Sequence, residues 1–244
     1  MKTALITGAG RKGALGYETA RLLGKDGYHV IISGRDLLKL NPLVDELKAE
    51  GISASAVELD VTDEASAKNA FDTISKDFDT LDALINNAAL LWGITFSSIE
   101  EQTMDELRSI FDTNVVGAWN VTQKMLPLIQ KSKSGRIVNV SSGAGSFAAP
   151  VFGLLNSSMG TSSYGISKTA LNAVTVKMAR DLKKYHILVN AVCPDVTLTR
   201  DDENSSNYMG RPASESAKSV VWAVNIPDDG PTGGFYRDGK ELPR

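Results

Sequence analysis

The sequence predicts a doubly wound α/β fold, in which a single parallel sheet carries helices on both faces. Short apolar segments of strand-like composition alternate with segments of helical periodicity along all 244 residues. The predicted strands are apolar on both faces, which is typical of a parallel sheet that is covered on both sides. Because no change in composition divides the chain, we expect one domain over residues 1–244.

The first half of the chain reads as four strands separated by three helices. The first strand, at Thr3–Thr7, is short, β-rich and followed by glycine. The next helix stops at Gly27, a suitable C-cap, before the strand YHVIISG. Asp36 is a candidate N-cap for a helix that runs to Gly51 and that Pro42 should break or bend. The strand SASAVELDV, the helix DEASAKNAFDTISKDF with acidic residues in its first turn, and the strand LDALINNAA follow.

The second half continues this alternation. Helical stretches are predicted at Glu100–Asp112 and Asn114–Lys131, before the strand GRIVNVSS, the long helix SYGISKTALNAVTVKMARDLKKY and the strand ILVNAVCP. GGFYRDG is a candidate last strand. Residues 143–163 and 194–211 show no regular pattern. Long loops of compact domains are often functional, so we expect these two near the substrate site.

Composition argues against several classes of function. A net charge of −3 and a pI near 5.5 give no general attraction to nucleic acid or anionic membranes. Cys193 is the only cysteine, so no disulfide forms within the chain. Because no apolar run is long enough for a membrane span or a signal-peptide core, we expect a cytoplasmic protein. His29 and His186 lie far apart and predict no metal site.

The stretch TGAGRKGALG, at Thr7–Gly16, joins the first strand to the first helix. Small residues let a backbone approach a pyrophosphate, and a helix N-terminus offers free N–H groups and a positive dipole end. This position predicts a dinucleotide site in a Rossmann-type fold. The pattern G-x-G-x-x-G falls on Gly8, Gly10 and Gly13, but the helical pattern favours a longer loop that ends at Gly16.

The end of the second strand, ISGRD, predicts which dinucleotide binds. An acidic residue at this place would grip a ribose hydroxyl and indicate NAD. Arg35 stands there instead, and its guanidinium suits a 2′-phosphate. Arg11 and Lys12 in the first loop are expected to reach the same phosphate. Asp36 is an alternative ribose ligand, although helix capping explains it better, so we predict NADP.

Further cofactor contacts are predicted where strands three and four end. Asp60 and Val61 follow the third strand and are placed to meet the adenine. Asn87 and Ala88 follow the fourth, at the edge where open α/β sheets bind their ligands. Turn formation is the alternative role of Asn87 and of its neighbour Asn86.

Tyr164 and Lys168 are four positions apart on a predicted helix and therefore lie on one face of it. A nearby ammonium group stabilises a phenolate and lowers the pKa of the tyrosine from about 10. Such a tyrosine acts as an acid or base near neutral pH. Taken alone, a tyrosine and a lysine at this spacing are more often exposed surface residues without a catalytic role.

Over essentially its whole length, the chain resembles the short-chain dehydrogenases/reductases. The combined order and spacing of several motifs carry the resemblance, since no single motif is specific. They are the TG…ALG loop, DVT at Asp60, NNAA at Asn86, TNVVG at Asn114, VNVSS ending at Ser142, YGISK, and NAVCPDVTLT at Asn190–Thr199.

The resemblance implies a catalytic mechanism. Tyr164 would give a proton to a substrate carbonyl, or take one from an alcohol, while Ser142 holds the same oxygen. Lys168 would lower the pKa of Tyr164 and hold the nicotinamide ribose, and Asn114 would hold a water that feeds protons through Lys168. The nicotinamide carries the hydride. Ser142 is preferred to Ser141 because it is the second serine of the matching motif.

The resemblance also implies a set of cofactor contacts. Thr199 matches the threonine that contacts the nicotinamide amide, and Asp195 departs from the usual glycine. Aspartate tolerates unusual backbone angles better than most residues. The predicted contacts are Gly8, Gly10, Arg11, Lys12, Leu15, Arg35, Asp60, Val61, Asn87, Ala88, Tyr164, Lys168, Pro194, Thr197 and Thr199.

Ser142 and Tyr164 are 22 positions apart, which is longer than the common form of the family. The extra residues and the C-terminal segment resemble carbonyl reductases, and the apolar insertion packs on a neighbouring helix or walls a substrate pocket. We therefore predict an NADP-dependent carbonyl reductase or alcohol dehydrogenase with a small, apolar substrate. The alternatives are a 3-oxoacyl thioester reductase and a non-catalytic NADP-sensing regulator. Whether the protein is a monomer or a homo-oligomer stays open.

Overall fold

The protein consists of a mixed sheet flanked by helices. The computed structural model describes residues 1–91, 99–150, 152–155, 162–198 and 210–243. Its strands are β1 (Thr3–Ile6), β2 (His29–Gly34), β3 (Ala54–Glu58), β4 (Ala83–Asn86), β5 (Arg136–Val140), β6 (Leu188–Val192), β7 (Thr197–Leu198), β8 (Arg211–Pro212), β9 (Phe235–Arg237) and β10 (Lys240–Glu241). Its α-helices are α1 (Leu15–Lys25), α2 (Leu37–Ala49), α3 (Glu64–Asp77), α4 (Met104–Phe111), α5 (Gly117–Ile129), α6 (Ser162–Leu182) and α7 (Ala213–Asn225).

Eight strands form the main sheet, in the order β10-β9-β6-β5-β4-β1-β2-β3. Neighbouring strands from β3 to β9 are parallel, which confirms the predicted doubly wound fold. The candidate last strand is β9, and β10 turns back to pair antiparallel with it. Strands β7 and β8 form a separate short pair.

Successive residues of the central strand face two hydrophobic layers. Ala4 and Ile6 pack into the layer formed with α1, α2 and α7, whereas Leu5 packs into the layer formed with α3, α5 and α6. All three side chains are fully buried. Burial on both faces explains why β1 is apolar at every position rather than at alternate ones.

Two helix predictions need correction. Pro42 lies inside α2, which continues past it, so the break expected there does not occur. The N-cap prediction is confirmed, because Asp36 accepts a hydrogen bond from the Leu38 N–H at 2.9 Å. The two predicted stretches around residue 113 form one continuous helical path, because a π-helical turn at Asp112–Val116 joins α4 to α5. This path begins at Met104 rather than at Glu100, since Thr103 and Glu106 form a capping box there.

Helix α7 was not predicted from the sequence. Its apolar residues Ala217, Val220 and Val224 recur at helical spacing and are buried against α1. The sequence signal for this helix was weak, because the helix begins with the polar run ASESAKS and the residues before it show no regular hydrophobic pattern. Among the described residues, no helix is long and apolar enough to cross a membrane.

Candidate active site

The carboxyl ends of β1 and β4 open a crevice, because the chain continues to opposite sides of the sheet after these two strands. Ligands of open α/β sheets bind in such crevices. Strands β1 to β6 are parallel, so the loops after all of them reach this edge. The predicted site residues come from these loops and from three helical segments, which contain Leu15, Asn114, and Tyr164 with Lys168.

The glycine-rich loop leaves the N-terminal end of α1 open. Ala14 occupies its N-cap position without a side-chain hydrogen bond, whereas α2, α3 and α4 each begin with a side-chain acceptor. The first N–H groups of α1 therefore have no side-chain acceptor and carry the positive end of the helix dipole. Gly8 and Gly10 are exposed beside this end, and Leu15 is buried beneath it. These features fit the pyrophosphate of a dinucleotide.

The end of β4 holds this loop in place. Gly8 has a φ of +67°, and a Cβ on it would lie 2.7 Å from the Cα of Ala88. The Asn87 side chain donates to the carbonyl oxygens of Thr7 and Gly8 at 2.8 and 3.2 Å. In return, Thr7 Oγ1 accepts from the N–H groups of Asn87 and Ala88. The Asn87 amide thus fixes the loop, and the small Ala88 leaves room for the close approach.

Asn86 belongs to the interior of the sheet rather than to a turn. Its side-chain nitrogen donates to Thr122 Oγ1 at 3.0 Å and to Asn139 Oδ1 at 2.8 Å. Asn139 in turn donates to Thr175 Oγ1 at 2.9 Å. This buried polar chain ties α5, the centre of the sheet and α6 together below the crevice.

The three cations predicted for a 2′-phosphate differ in their pairing. Arg11 and Arg35 are exposed and have no ion-pair partner within the described ranges. The Nζ of Lys12, by contrast, lies 2.9 Å from Glu46 Oε2 on α2. A phosphate would have to compete with this carboxylate for Lys12, so the two arginines are the more available anion ligands.

Asp60 and Val61 lie at the carboxyl end of β3. Asp60 Oδ1 accepts hydrogen bonds from the N–H and the hydroxyl of Thr62 at 3.0 and 2.7 Å, which fixes the turn. Val61 is buried. A cavity of about 520 Å³ opens between Arg35 and Asp60 and continues between β3 and α3. None of the predicted catalytic residues lines this cavity.

Tyr164 lies on α6, and its side chain hydrogen-bonds with Ser142 in the loop after β5. Ser142 is partly exposed, and its Oγ also accepts from the Ala144 N–H at 3.2 Å. Ser141 is buried and donates instead to the carbonyl oxygen of Lys168 at 3.4 Å. The geometry therefore favours Ser142 over Ser141 as the residue that meets a substrate.

Lys168 is buried one helical turn after Tyr164. Its Nζ lies 5.6 Å from the centroid of the Tyr164 ring and donates to the carbonyl oxygen of Val140 at 2.8 Å. Gly145 packs against the backbone of Lys168, where a Cβ would lie only 2.6 Å from the carbonyl carbon. The loop after β5 is thereby held directly against the helix that carries both residues.

Burial dominates the pKa values of these two groups. It raises the pKa of Tyr164 to about 12, although the hydrogen bond with Ser142 acts in the opposite direction. It lowers the pKa of Lys168 to about 7, with Cys193 acting in the opposite direction. The sequence predicts a lowered pKa for Tyr164, but in the folded chain the pKa of Tyr164 is raised. Since Lys168 itself loses charge near neutral pH, it does not stabilise the phenolate in this state.

Asn114 lies in the π-helical turn and is almost fully buried. Its Oδ1 accepts from the Leu90 N–H at 2.8 Å, and its Nδ2 donates to the Leu90 carbonyl and to Ser167 Oγ. Ser167 donates in turn to the carbonyl oxygen of Tyr164 at 2.7 Å. The amide of Asn114 thus links the segment after β4 to the first turn of α6.

The loop after β6 begins with buried Pro194. Asp195 follows with a φ of +65°, so the left-handed turn persists without the usual glycine. The Thr197 hydroxyl donates to the carbonyl oxygen of Asp195 at 3.1 Å, and its Oγ1 lies 2.8 Å from the hydroxyl oxygen of Ser216. Thr199 lies outside the described residues, as does most of the predicted loop 194–211.

The insertion after Ser142 is described only in part. Gly143–Gly145 form a short 3₁₀ turn, and beyond it Phe147 and Leu155 are exposed while their backbones are joined by a hydrogen bond of 3.1 Å. Val151 and residues 156–161 lie outside the described residues. These two side chains leave an apolar surface beside the serine loop.

The family model of the short chain dehydrogenases matches residues 2–209, the greater part of the chain. The chain belongs to the short-chain dehydrogenase family. This confirms the resemblance drawn from the sequence motifs. Members of this family are oxidoreductases that use NAD or NADP, so the protein is an enzyme of that class.

Relatives and solved structures agree with this membership. The 3-oxoacyl acyl-carrier-protein reductase FabG of Staphylococcus aureus is 32% identical over 208 residues, which cover 83% of this chain and 79% of the relative. Salutaridine reductase from Papaver somniferum has a TM-score of 0.80 at 28% identity, with 97% of this chain and 99% of that chain covered. The RhlG/NADP active-site complex of Pseudomonas aeruginosa has a TM-score of 0.82 at 25% identity, with 97% and 94% covered.

Two arginines that the sequence interpretation does not single out lie at the same edge of this dehydrogenase. Arg211 donates through Nε to the carbonyl oxygen of Pro194 at 3.0 Å. Arg237 donates through Nη2 to Cys193 Sγ at 3.1 Å. The motif YRDG shows only that Arg237 ends a strand. Its neighbours depend on the pairing of β9 with β6, which the sequence does not encode locally.

The buried lysine of this dehydrogenase predicts a pH-dependent stability. The pKa of Lys168 is lowered to about 7 in the folded chain from 10.5, so the unfolded chain binds more protons between these values. The free energy of unfolding contributed by Lys168 therefore increases with pH from 7 to 9, by about 1 kcal/mol per pH unit. In urea titrations without cofactor, Lys168→Met should remove this slope and the surface variant Lys177→Met should retain it. Parallel curves for Lys168→Met and the wild type would contradict the assignment.

Proposed function

We propose that the protein transfers a hydride between NADP and a carbonyl or alcohol substrate. The observation that best supports this proposal is that Ser142, Tyr164 and Lys168 lie close together at one edge of the sheet, where the uncapped end of α1 also lies. A partly exposed serine beside a protonated tyrosine forms a pair of donors for a single substrate oxygen. The Nζ of the buried Lys168 lies 5.6 Å from the centroid of the Tyr164 ring and 2.8 Å from the carbonyl oxygen of Val140 at the end of β5.

The cofactor is proposed to be NADP rather than NAD. The open end of α1 would hold the pyrophosphate, and the unpaired Arg35 and Arg11 would hold the 2′-phosphate. The NADP complex of the similar RhlG supports this choice. Asp60, Val61, Asn87 and Ala88 would line the adenosine half, and Pro194, Thr197 and Thr199 the nicotinamide half. When bound, the nicotinamide supplies or accepts the hydride.

Tyr164 supplies the proton in the direction of reduction. Its raised pKa keeps the phenol protonated at neutral pH, so its hydroxyl donates a proton to the carbonyl oxygen as that oxygen gains negative charge. Ser142 donates a hydrogen bond to the same oxygen and fixes its position. When it is protonated, Lys168 would hold the nicotinamide ribose and would stabilise the phenolate that remains. Asn114 orients the first turn of α6 through Ser167 and would also hold a water that returns a proton through Lys168.

The loops 143–163 and 194–211 are proposed to wall the substrate site. The first begins directly after Ser142, and the second directly after β6 beside the nicotinamide half. The exposed apolar side chains of Phe147 and Leu155 favour an apolar carbonyl compound. A carbonyl reductase is therefore our first candidate. A 3-oxoacyl thioester reductase is the second, and the 32% identity with FabG supports it.

A panel of carbonyl substrates tests the proposal. We expect NADPH oxidation with at least one ketone, aldehyde, quinone or 3-oxoacyl thioester, and a kcat/KM at least about tenfold higher with NADPH than with NADH. The 3-oxoacyl thioester in the panel distinguishes the two candidate functions, carbonyl reductase and 3-oxoacyl thioester reductase. NADPH binding without turnover of any class would contradict the proposal and favour the non-catalytic NADP-sensing regulator.

A further inference from the structure

The ends of β5, β6 and β9 converge on the sulfur of Cys193. In the register of β6 and β9, Val192 pairs with Tyr236, which places Arg237 next to Cys193. The buried Sγ accepts from the Gly143 N–H at 3.1 Å, from Arg237 Nη2 at 3.1 Å and from the Asp195 N–H at 3.4 Å. These three donors come from three separate segments, so this one side chain joins them.

The guanidinium of Arg237 also binds the carboxylate of Asp195, with Nη1 3.2 Å from Oδ1. The same Oδ1 accepts from the Val196 N–H at 2.9 Å. Asp195 adopts the left-handed conformation that glycine usually occupies in this motif. Arg237 therefore holds a residue whose left-handed backbone conformation is unfavourable for a non-glycine residue.

Arg237 lies equally close to the serine loop. A Cβ on Gly143 would lie 3.2 Å from Arg237 Nη2, so the absence of a side chain there lets the guanidinium approach. Gly143 directly follows Ser142, whose hydroxyl binds Tyr164. A shift of the guanidinium would therefore reach the catalytic serine through one residue.

The other cation in this region does not duplicate this contact. Arg211 donates to the carbonyl of Pro194 and forms a two-point ion pair with Asp238, at 2.9 and 3.0 Å. It thus holds the backbone of the loop at Pro194 rather than at Asp195. The Nε of Arg237 is buried and has no acceptor in the part of the chain that the structure describes. The orientation of Arg237 therefore depends on its two Nη contacts.

We infer that Arg237 is a positioning residue for hydride transfer. Through its contacts with Cys193 and Asp195, Arg237 fixes the position of Ser142 relative to the loop after β6. The inference rests on the proposed function and concerns a residue that contacts neither the proposed cofactor-phosphate ligands nor Tyr164. Asp195 and Arg237 act as a unit, in which the aspartate replaces glycine and the arginine compensates for that replacement.

The test compares single and double variants of the full-length protein, with a substrate found in the panel. Arg237→Met should lower kcat at least about tenfold, because small displacements in an active site are costly, and change the Kd for NADPH less than about threefold. Arg237→Lys retains a cation and should recover part of the loss. Asp195→Gly removes the carboxylate and supplies the residue suited to this turn. In that background, Arg237→Met should lower kcat by a smaller factor than in the wild type, because only the contact with Cys193 is left to lose.

The outcomes separate the inference from the proposed function. Equal losses from Arg237→Met in both backgrounds, or unchanged kcat in the single variant, would overturn the inference while wild-type turnover stands. A wild type without turnover would overturn the proposed function, and the inference with it. Lys218→Met, which removes an exposed ion pair with Glu215, is the control and should leave kcat and Kd unchanged. Melting temperatures report any general loss of stability.

Discussion

Tyr164→Phe is expected to lower kcat at least about 10³-fold, within the range that general acid–base catalysis contributes. The variant removes the hydroxyl that hydrogen-bonds with Ser142 and supplies the proposed proton. The ring, whose centroid lies 5.6 Å from Lys168 Nζ, is retained. The fold and the cofactor site should therefore remain, and the Kd for NADPH should change less than about threefold.

Single-turnover mixing of enzyme, NADPH and substrate measures this effect without interference from product release. Tyr185→Phe is a matched control, since Tyr185 is partly exposed just after α6 and takes no part in the proposed chemistry. It should leave kcat unchanged. Turnover retained by Tyr164→Phe would show that another group or water donates the proton. An equal loss in NADPH binding would instead show that the hydroxyl acts through cofactor binding rather than as the proton donor.

The position of the site along the fold follows from features that the sequence displays. Apolar runs with glycine, asparagine or aspartate at their ends predict buried parallel strands and their carboxyl termini. Parallel strands bring those ends to one edge, so Arg35, Asp60 and Asn87 were expected to lie along one crevice. The structure has them after β2, β3 and β4. Local order and spacing were sufficient here because each residue follows its own strand directly.

Features that depend on distant contacts were not predictable. The π-helical turn around Asn114 replaces the expected break, because Asn114 is held by the backbone of Leu90, which precedes it by 24 positions. The raised pKa of Tyr164 reflects burial by surrounding segments, whereas the sequence shows only that a lysine is near. The ion pair of Arg237 with Asp195 requires the pairing of β6 with β9. In each case the residue that determines the feature lies far away in the sequence.

Arg35→Asp is expected to lower kcat/KM for NADPH about 10²-fold or more, since hydrogen bonds to charged groups contribute about 1.5–3 kcal/mol each. The side chain is exposed at the end of β2, so its replacement should leave the fold unchanged. A carboxylate there repels a 2′-phosphate and is suited to bind ribose hydroxyls. The kcat/KM for NADH should therefore fall little or increase. Arg180→Asp, the same charge change at an exposed position of α6, should change kcat/KM for neither cofactor.

The same kinetic assay with NADPH distinguishes Arg11, Lys12 and Arg35, which differ in whether a carboxylate is bound to them. Arg11 has no ion-pair partner within the described ranges, whereas Lys12 is bound to Glu46 at 2.9 Å. Arg11→Ala should therefore raise the KM for NADPH more than Lys12→Ala does, and Glu46→Gln should lower it by releasing Lys12 toward the phosphate. Because the pair is largely exposed, the last effect should stay within about threefold. If Arg35→Asp weakens NADPH and NADH equally, Arg35 does not bind the 2′-phosphate, and the choice of NADP loses its main support.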